Sequence, residues 1–179
     1  MAKSDLACKA RKALFKIYKC VNYPHTNVSL MTKLFDSLVK PILMYGCEVW
    51  GPSKNSGKFE SKIDLMHNKF CKGLLGVNKN AVNSAVRGEL GRYPIQVSIN
   101  ISIVKYWLRI ATKNCRNLVH QAYESHFKNN KASSEWLIYV KKLLDDHGFS
   151  NVWENPDHYN NDAFISIFTQ RVLDNYCQN

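Results

Sequence analysis

Apolar residues recur at helical intervals along nearly the whole chain. Leu6, Ala10, Ala13, Leu14 and Ile17 share one face of a helix predicted over about residues 4–20, with Ser4 as its N-cap. Lys9, Lys12, Lys16 and Lys19 fall together on a separate face of the same helix. After a turn-like stretch at 21–28, Leu30, Met31, Leu34, Phe35, Leu38 and Val39 repeat the period from about Ser29. Pro41 then removes a backbone donor and crowds the preceding turn, so this second helix must kink or restart. A third helix, roughly 58–75, carries Ile63, Met66, Phe70 and Leu74 on its apolar face, and a short helical turn after it closes at Gly88 and Gly91. Pro94 suits the first position of a helix running to about 113 through Ile99, Ile103, Trp107 and Ile110. Another is predicted over about 116–128. Ser133 and Ser134 can cap one that ends near His147 at Gly148, and Asn161 or Asp162 opens a last helix carrying Phe164, Ile165, Phe168, Val172 and Leu173. No segment reads as a strand, and no internal repeat is present. The pattern predicts an all-α protein, an irregular bundle of about six to eight helices with the second one kinked.

Residues 40–51, KPILMYGCEVWG, break that regularity. Beyond Pro41 the chain places Tyr45 beside Gly46 and Trp50 beside Gly51. The expectation is architectural: the proline bends the helix, and the two aromatics fill the core beside the glycine turns and hold the bend. Trp107 is likewise assigned to the core. Residues 51–58, GPSKNSGK, form the strongest loop signal and a candidate boundary.

Composition changes the picture at one point. The net charge of +11 is uneven: residues 1–130 hold 21 Lys and Arg against 7 Asp and Glu, whereas residues 131–179 hold 4 against 7. Clustered positive charge suits a polyanion, because each neutralised phosphate releases condensed counterions. A solvated basic surface is the competing explanation. No run of 18 apolar residues is present and the first residues show no signal-peptide core, so the expectation is a chain inside the cell, off the membrane, with reduced thiols at its six cysteines.

Catalytic chemistry is not written in this pattern. The chain has no C-x-x-C pair, no phosphate-cradling Gly-Lys-Ser/Thr loop and no G-x-G-x-x-G. Asp145 and Asp146 sit at a helix end, where solvation explains them. His67 and Cys71 share a helical face with Cys47 upstream, yet a fourth zinc ligand is missing, and packing of a neutral histidine and a small thiol accounts for them. His120 and His126 are not expected to belong to a catalytic pair. The expectation is no enzyme, no metal and no cofactor in this chain.

Four stretches in order, KLFDSLVKPILMYGCEVWG, HNKFCKGLLGV, GELGRYPIQVSINISIVKYWLRI and GFSNVW, resemble the C-terminal part of reverse transcriptases of non-LTR (LINE-like) retrotransposons. LACKARKALFKIYK resembles the helix that follows the palm in those proteins. The resemblance implies a thumb-like helical bundle over residues 1–52 and a post-thumb helical region over 58–179. It further implies that the fingers, the palm and its magnesium-binding aspartates would lie upstream of Met1. The partner so implied is an RNA–DNA template–primer, gripped through its backbone by Lys9, Lys12, Lys16 and Lys19 with help from Lys69, Lys72, Arg87 and Arg92. Two alternatives stand beside it: a helical protein-interaction module that docks on the palm, and a relic transposon reading frame without independent function.

Overall fold

The computed structural model describes residues 2–21, 26–51, 62–112, 118–128, 134–159 and 161–178. Most of the predicted loop at 51–58, residues 22–25 of the predicted linker, Cys115, Ser133 and the His126 side chain lie outside them.

The protein is all-α. Eleven α-helices appear among the described residues: α1 (Ala2–Cys20), α2 (Val28–Leu34), α3 (Lys40–Met44), α4 (Cys47–Trp50), α5 (Lys62–Leu75), α6 (Asn83–Glu89), α7 (Ile95–Ala111), α8 (Leu118–Lys128), α9 (Glu135–Asp146), α10 (Ser150–Glu154) and α11 (Asn161–Gln178). A π-helical turn, Phe35–Val39, joins α2 to α3, and a 3₁₀ turn spans Pro156–His158. The count exceeds the predicted six to eight because the chain adds segments of seven residues or fewer, including the pieces flanking Pro41. Boundaries shift by small steps. Ser4 lies inside α1 and is not its cap, and Pro94 stands one residue before α7. Ser134 caps α9 as predicted, accepting the Leu137 N–H at 3.2 Å.

Two compact units form, Met1–Gly46 with Asn55–Gln96, and Cys47–Lys54 with Val97–Asn179. In the first, α1 packs on α3 and α5, and α5 packs on α6. Leu6, Ala10, Leu14 and Ile17 of α1 are buried there, together with Ile63, Met66, Phe70 and Cys71 of α5.

The region before Pro41 keeps its core face by an unexpected route. Met31, Phe35, Val39 and Leu43 are all buried, whereas Leu30 and Leu38 stand half exposed. On a regular α-helix each four-residue step overshoots a turn by about 40°, so three such steps would carry the last residue about 120° off the face. The π-turn absorbs that drift. Lys40 N–H bonds to the carbonyl of Phe35, five residues back, and the wider turn makes room where the Pro41 ring would crowd the carbonyl four residues before it. The expected kink is therefore a π-turn. Tyr45 does not hold it: the residue leaves the helix at φ −57°, ψ 118°, Gly46 follows at φ 65°, and the Tyr45 side chain is 77% exposed. Trp50 is half-buried within the second unit.

α6 ends in a Schellman motif. Arg92 N–H reaches the Arg87 carbonyl at 2.8 Å and Gly91 N–H the Gly88 carbonyl at 3.0 Å, with Gly91 at φ 60°. Gly91 is thus the stop, while Gly88, expected to share that role, lies inside the helix.

In the second unit Trp107 is fully buried, as predicted, and stacks on Trp153 with centroids 5.3 Å apart. Phe149 packs on Phe164 and Phe168 of α11, and the three rings form an aromatic cluster. Trp136 Nε1 donates to the Glu48 carbonyl at 2.6 Å, fixing α4 to α9. Gly51 closes α4, its N–H bonded to the Cys47 carbonyl at 2.7 Å.

Candidate functional site

The basic residues singled out from the sequence separate into two populations. Lys9, Lys12, Lys16 and Lys19 are all exposed on α1. Their spacing of three, four and three residues keeps them on one face over about 15 Å of helix. They share that face because Leu6, Ala10, Leu14 and Ile17 anchor the opposite side in the first unit's core.

Arg87 and Arg92 belong to the interior instead. Arg87 is 8% exposed, and its Nη1 donates to Asn68 Oδ1 at 2.6 Å. Arg92 grips Asp36 with two bonds, Nη2 to Oδ1 at 2.5 Å and Nη1 to Oδ2 at 3.2 Å. Its Nε donates to His67 Nε2 at 3.0 Å, and its guanidinium lies 5.1 Å from the Phe35 ring centroid. Phe35 stacks on Phe70 at 4.1 Å. Arginine suits this place because its planar fork pairs a carboxylate and covers an aromatic face at once. Both were expected at a phosphate-binding surface, and the partners that draw them inward are 19 and 56 residues away in sequence. Lys72 donates to the Lys79 carbonyl at 2.7 Å, bracing the turn after α5. Lys69 is exposed on α5.

His67 belongs to the same interior cluster. Burial, and then the charges of Arg92 and Arg87, pull its pKa down from 6.5 to about 3. A neutral imidazole leaves Nε2 as the acceptor for Arg92. Cys71, one turn along α5, is fully buried, and burial pushes its thiol up to about 11; Cys47 is raised to about 11 for the same first reason. Thiols held in that state are poor nucleophiles and poor metal ligands at neutral pH. The described residues contain no group of three His, Cys, Asp or Glu side chains able to hold a metal. Nor is any helix among them long and apolar enough to cross a membrane.

A second surface feature escaped the sequence reading. Between α1 and α5 runs an open groove of about 730 Å³, with Phe15 69% exposed on one bank and Leu65 53% exposed on the other. Its signal was present as a further helix-spaced stripe, Cys8, Arg11, Phe15 and Tyr18, but mixed polarity hid it from a search for apolar or charged faces. No protein-family profile, curated protein sequence or solved structure matches this chain.

Proposed function

We propose that this chain is a nucleic-acid-gripping segment of the non-LTR reverse-transcriptase type, holding the phosphate backbone of an RNA–DNA template–primer without reading its sequence. The observation that carries the reading is the lysine face of α1: four cations at helical spacing, all exposed, on a helix whose other side is fixed in a core. Lysine ammonium groups on long stems follow a polyphosphate surface without demanding one geometry. Lys69 adds to the same exposed charge. Arg87 and Arg92 contribute indirectly, by holding α5, α6 and the Phe35 turn together. The chain supplies binding, and the chemistry of polymerisation belongs to a palm elsewhere in the parent protein.

The test is fluorescence anisotropy with an RNA–DNA primer–template and a variant carrying Lys9→Glu, Lys12→Glu, Lys16→Glu and Lys19→Glu. All four sites are exposed, so its helical circular dichroism should match the wild type. Loss of binding by about two orders of magnitude or more supports the reading, given the steep dependence of such affinity on charge. Unaltered affinity rejects it.

A second reading, a helical protein-interaction module, is favoured by a different observation, the exposed apolar groove between α1 and α5.

A further inference from the structure

Ser4, Cys8, Arg11, Phe15 and Tyr18 step along α1 by four, three, four and three residues. This stripe lies one residue behind the lysine stripe, hence about 100° round the helix from it. Facing it on α5, Lys62, Met66, Lys69 and Gly73 step by four, three and four, with Leu65 beside them. Buried Leu14 and Phe70 form the floor between these banks. Two helices packed side by side, each offering a stripe at helical spacing, leave a channel shaped for a third helix. Phe15 and Leu65 would both leave solvent if such a helix lay there, and large exposed apolar side chains flanking one groove mark interaction surfaces.

The charge along the groove selects the kind of helix. Arg11, Lys62 and Lys69 line it, and no carboxylate is among the described residues that do. Lys62 is held toward α1 by its Nζ donating to Ser4 Oγ at 3.1 Å. We propose that the groove between α1 and α5 seats an acidic amphipathic helix of a partner protein, its apolar stripe against Phe15, Leu65 and Met66 and its flanking carboxylates paired with Arg11, Lys62 and Lys69. This docking uses a different face of α1 from the phosphate grip and shares only Lys69 of α5 with it.

The probe is a fluorescein-labelled helical peptide of about five turns, with leucines at alternating three- and four-residue spacing and glutamates flanking them. A matched peptide carries lysines in place of the glutamates. Anisotropy with the full chain should show saturable micromolar binding of the glutamate peptide and much weaker binding of the lysine peptide. Phe15→Ser and Leu65→Ser, both at exposed positions, should each weaken binding by about tenfold or more. Arg11→Glu with Lys69→Glu should shift preference toward the lysine peptide. Phe15→Ser and Leu65→Ser should keep primer–template binding, and the four-lysine variant should keep peptide binding, so the two readings fail separately. The docking proposal is overturned if the glutamate peptide does not bind, if both peptides bind alike, or if the groove variants bind as the wild type does. It is equally overturned if sedimentation shows a dimer that Phe15→Ser abolishes, which would make the occupant a second copy. Displacement of the peptide by a single-stranded oligonucleotide whose binding needs Phe15 would assign the groove to nucleic acid instead.

Discussion

His67 sits where a proton would do the most harm to the first unit. Its Nε2 accepts from Arg92, its ring lies 5.4 Å from Phe35, and protonation would set a third positive charge beside Arg92 and Arg87. The folded pKa of about 3 stands below the unfolded 6.5, so the unfolded chain binds a proton that the folded chain refuses. The corresponding stability is fully present above pH 6.5 and is lost as the pH falls toward 3, at up to about 1.4 kcal/mol per pH unit. Replacing His67 by Gln keeps an acceptor for Arg92 and removes the titration. Between pH 7 and 5.5, where ordinary carboxylates stay ionised, wild-type unfolding free energy should drop about 1 kcal/mol more than that of the His67→Gln variant. Parallel urea midpoints for the two proteins across that range would show that His67 is not the sensitive group.

At the level of the helices, glycines with opposite surroundings make opposite predictions. A Cβ on Gly51 would meet the Cys47 carbonyl oxygen at 2.4 Å and the Ile99 and Ile103 side chains at 2.7 and 2.8 Å. Backbone cannot yield as a flexible side chain does, so Gly51→Ala should cost about 1–3 kcal/mol by overpacking the end of α4. Gly88, inside α6 with nothing within 4 Å of the same position, should gain about 0.5–1 kcal/mol as alanine. Thermal melts of the two variants should therefore move in opposite directions; a shared direction would contradict the packing. These positions also show what the sequence carried. The long helices, the Ser134 cap, the Gly148 stop at φ 81° and the burial of Trp107 were all legible, because periodicity and caps are local signals. The role of Gly51 was not, since it depends on Ile99 and Ile103, far along the chain. The π-turn was half legible: Pro41 announced an interruption, but the burial of Met31, Phe35, Val39 and Leu43 at steps of four became meaningful only with the wider turn in view. Tyr45 misled because a large aromatic beside a glycine looks like core, while its backbone exits the helix toward solvent. The lysine face of the candidate site was readable for the same local reason that helices are, and the inward turn of Arg87 and Arg92 was hidden with their partners Asn68 and Asp36.

Across the whole molecule, the net charge of +11 overstates the charge available to a partner in one respect and conceals its arrangement in another. Arg87 and Arg92 count toward the total, yet hydrogen bonds to Asn68, Asp36 and His67 hold them within the first unit. Lys9, Lys12, Lys16 and Lys19 are free of that duty and lie on one face of α1. A phosphate grip built on this face makes a quantitative demand on salt dependence. With four backbone contacts, log affinity for a duplex should fall against log salt with a slope of about −3 to −4, and Lys12→Gln with Lys16→Gln should reduce the slope by about 2. Arg92→Gln should do the reverse: it removes a pair with Asp36 and a cover over Phe35, so it should lower the melting temperature and leave the slope of the folded protein unchanged. Equal effects of the surface and interior substitutions on the slope would mean that binding follows total charge and not the α1 face. A steeper slope in the wild type, about −5, that Lys69→Gln relieves would instead extend the grip from α1 onto α5. The separation of these outcomes rests on which cations the fold has already paired, a distinction that net charge alone does not make.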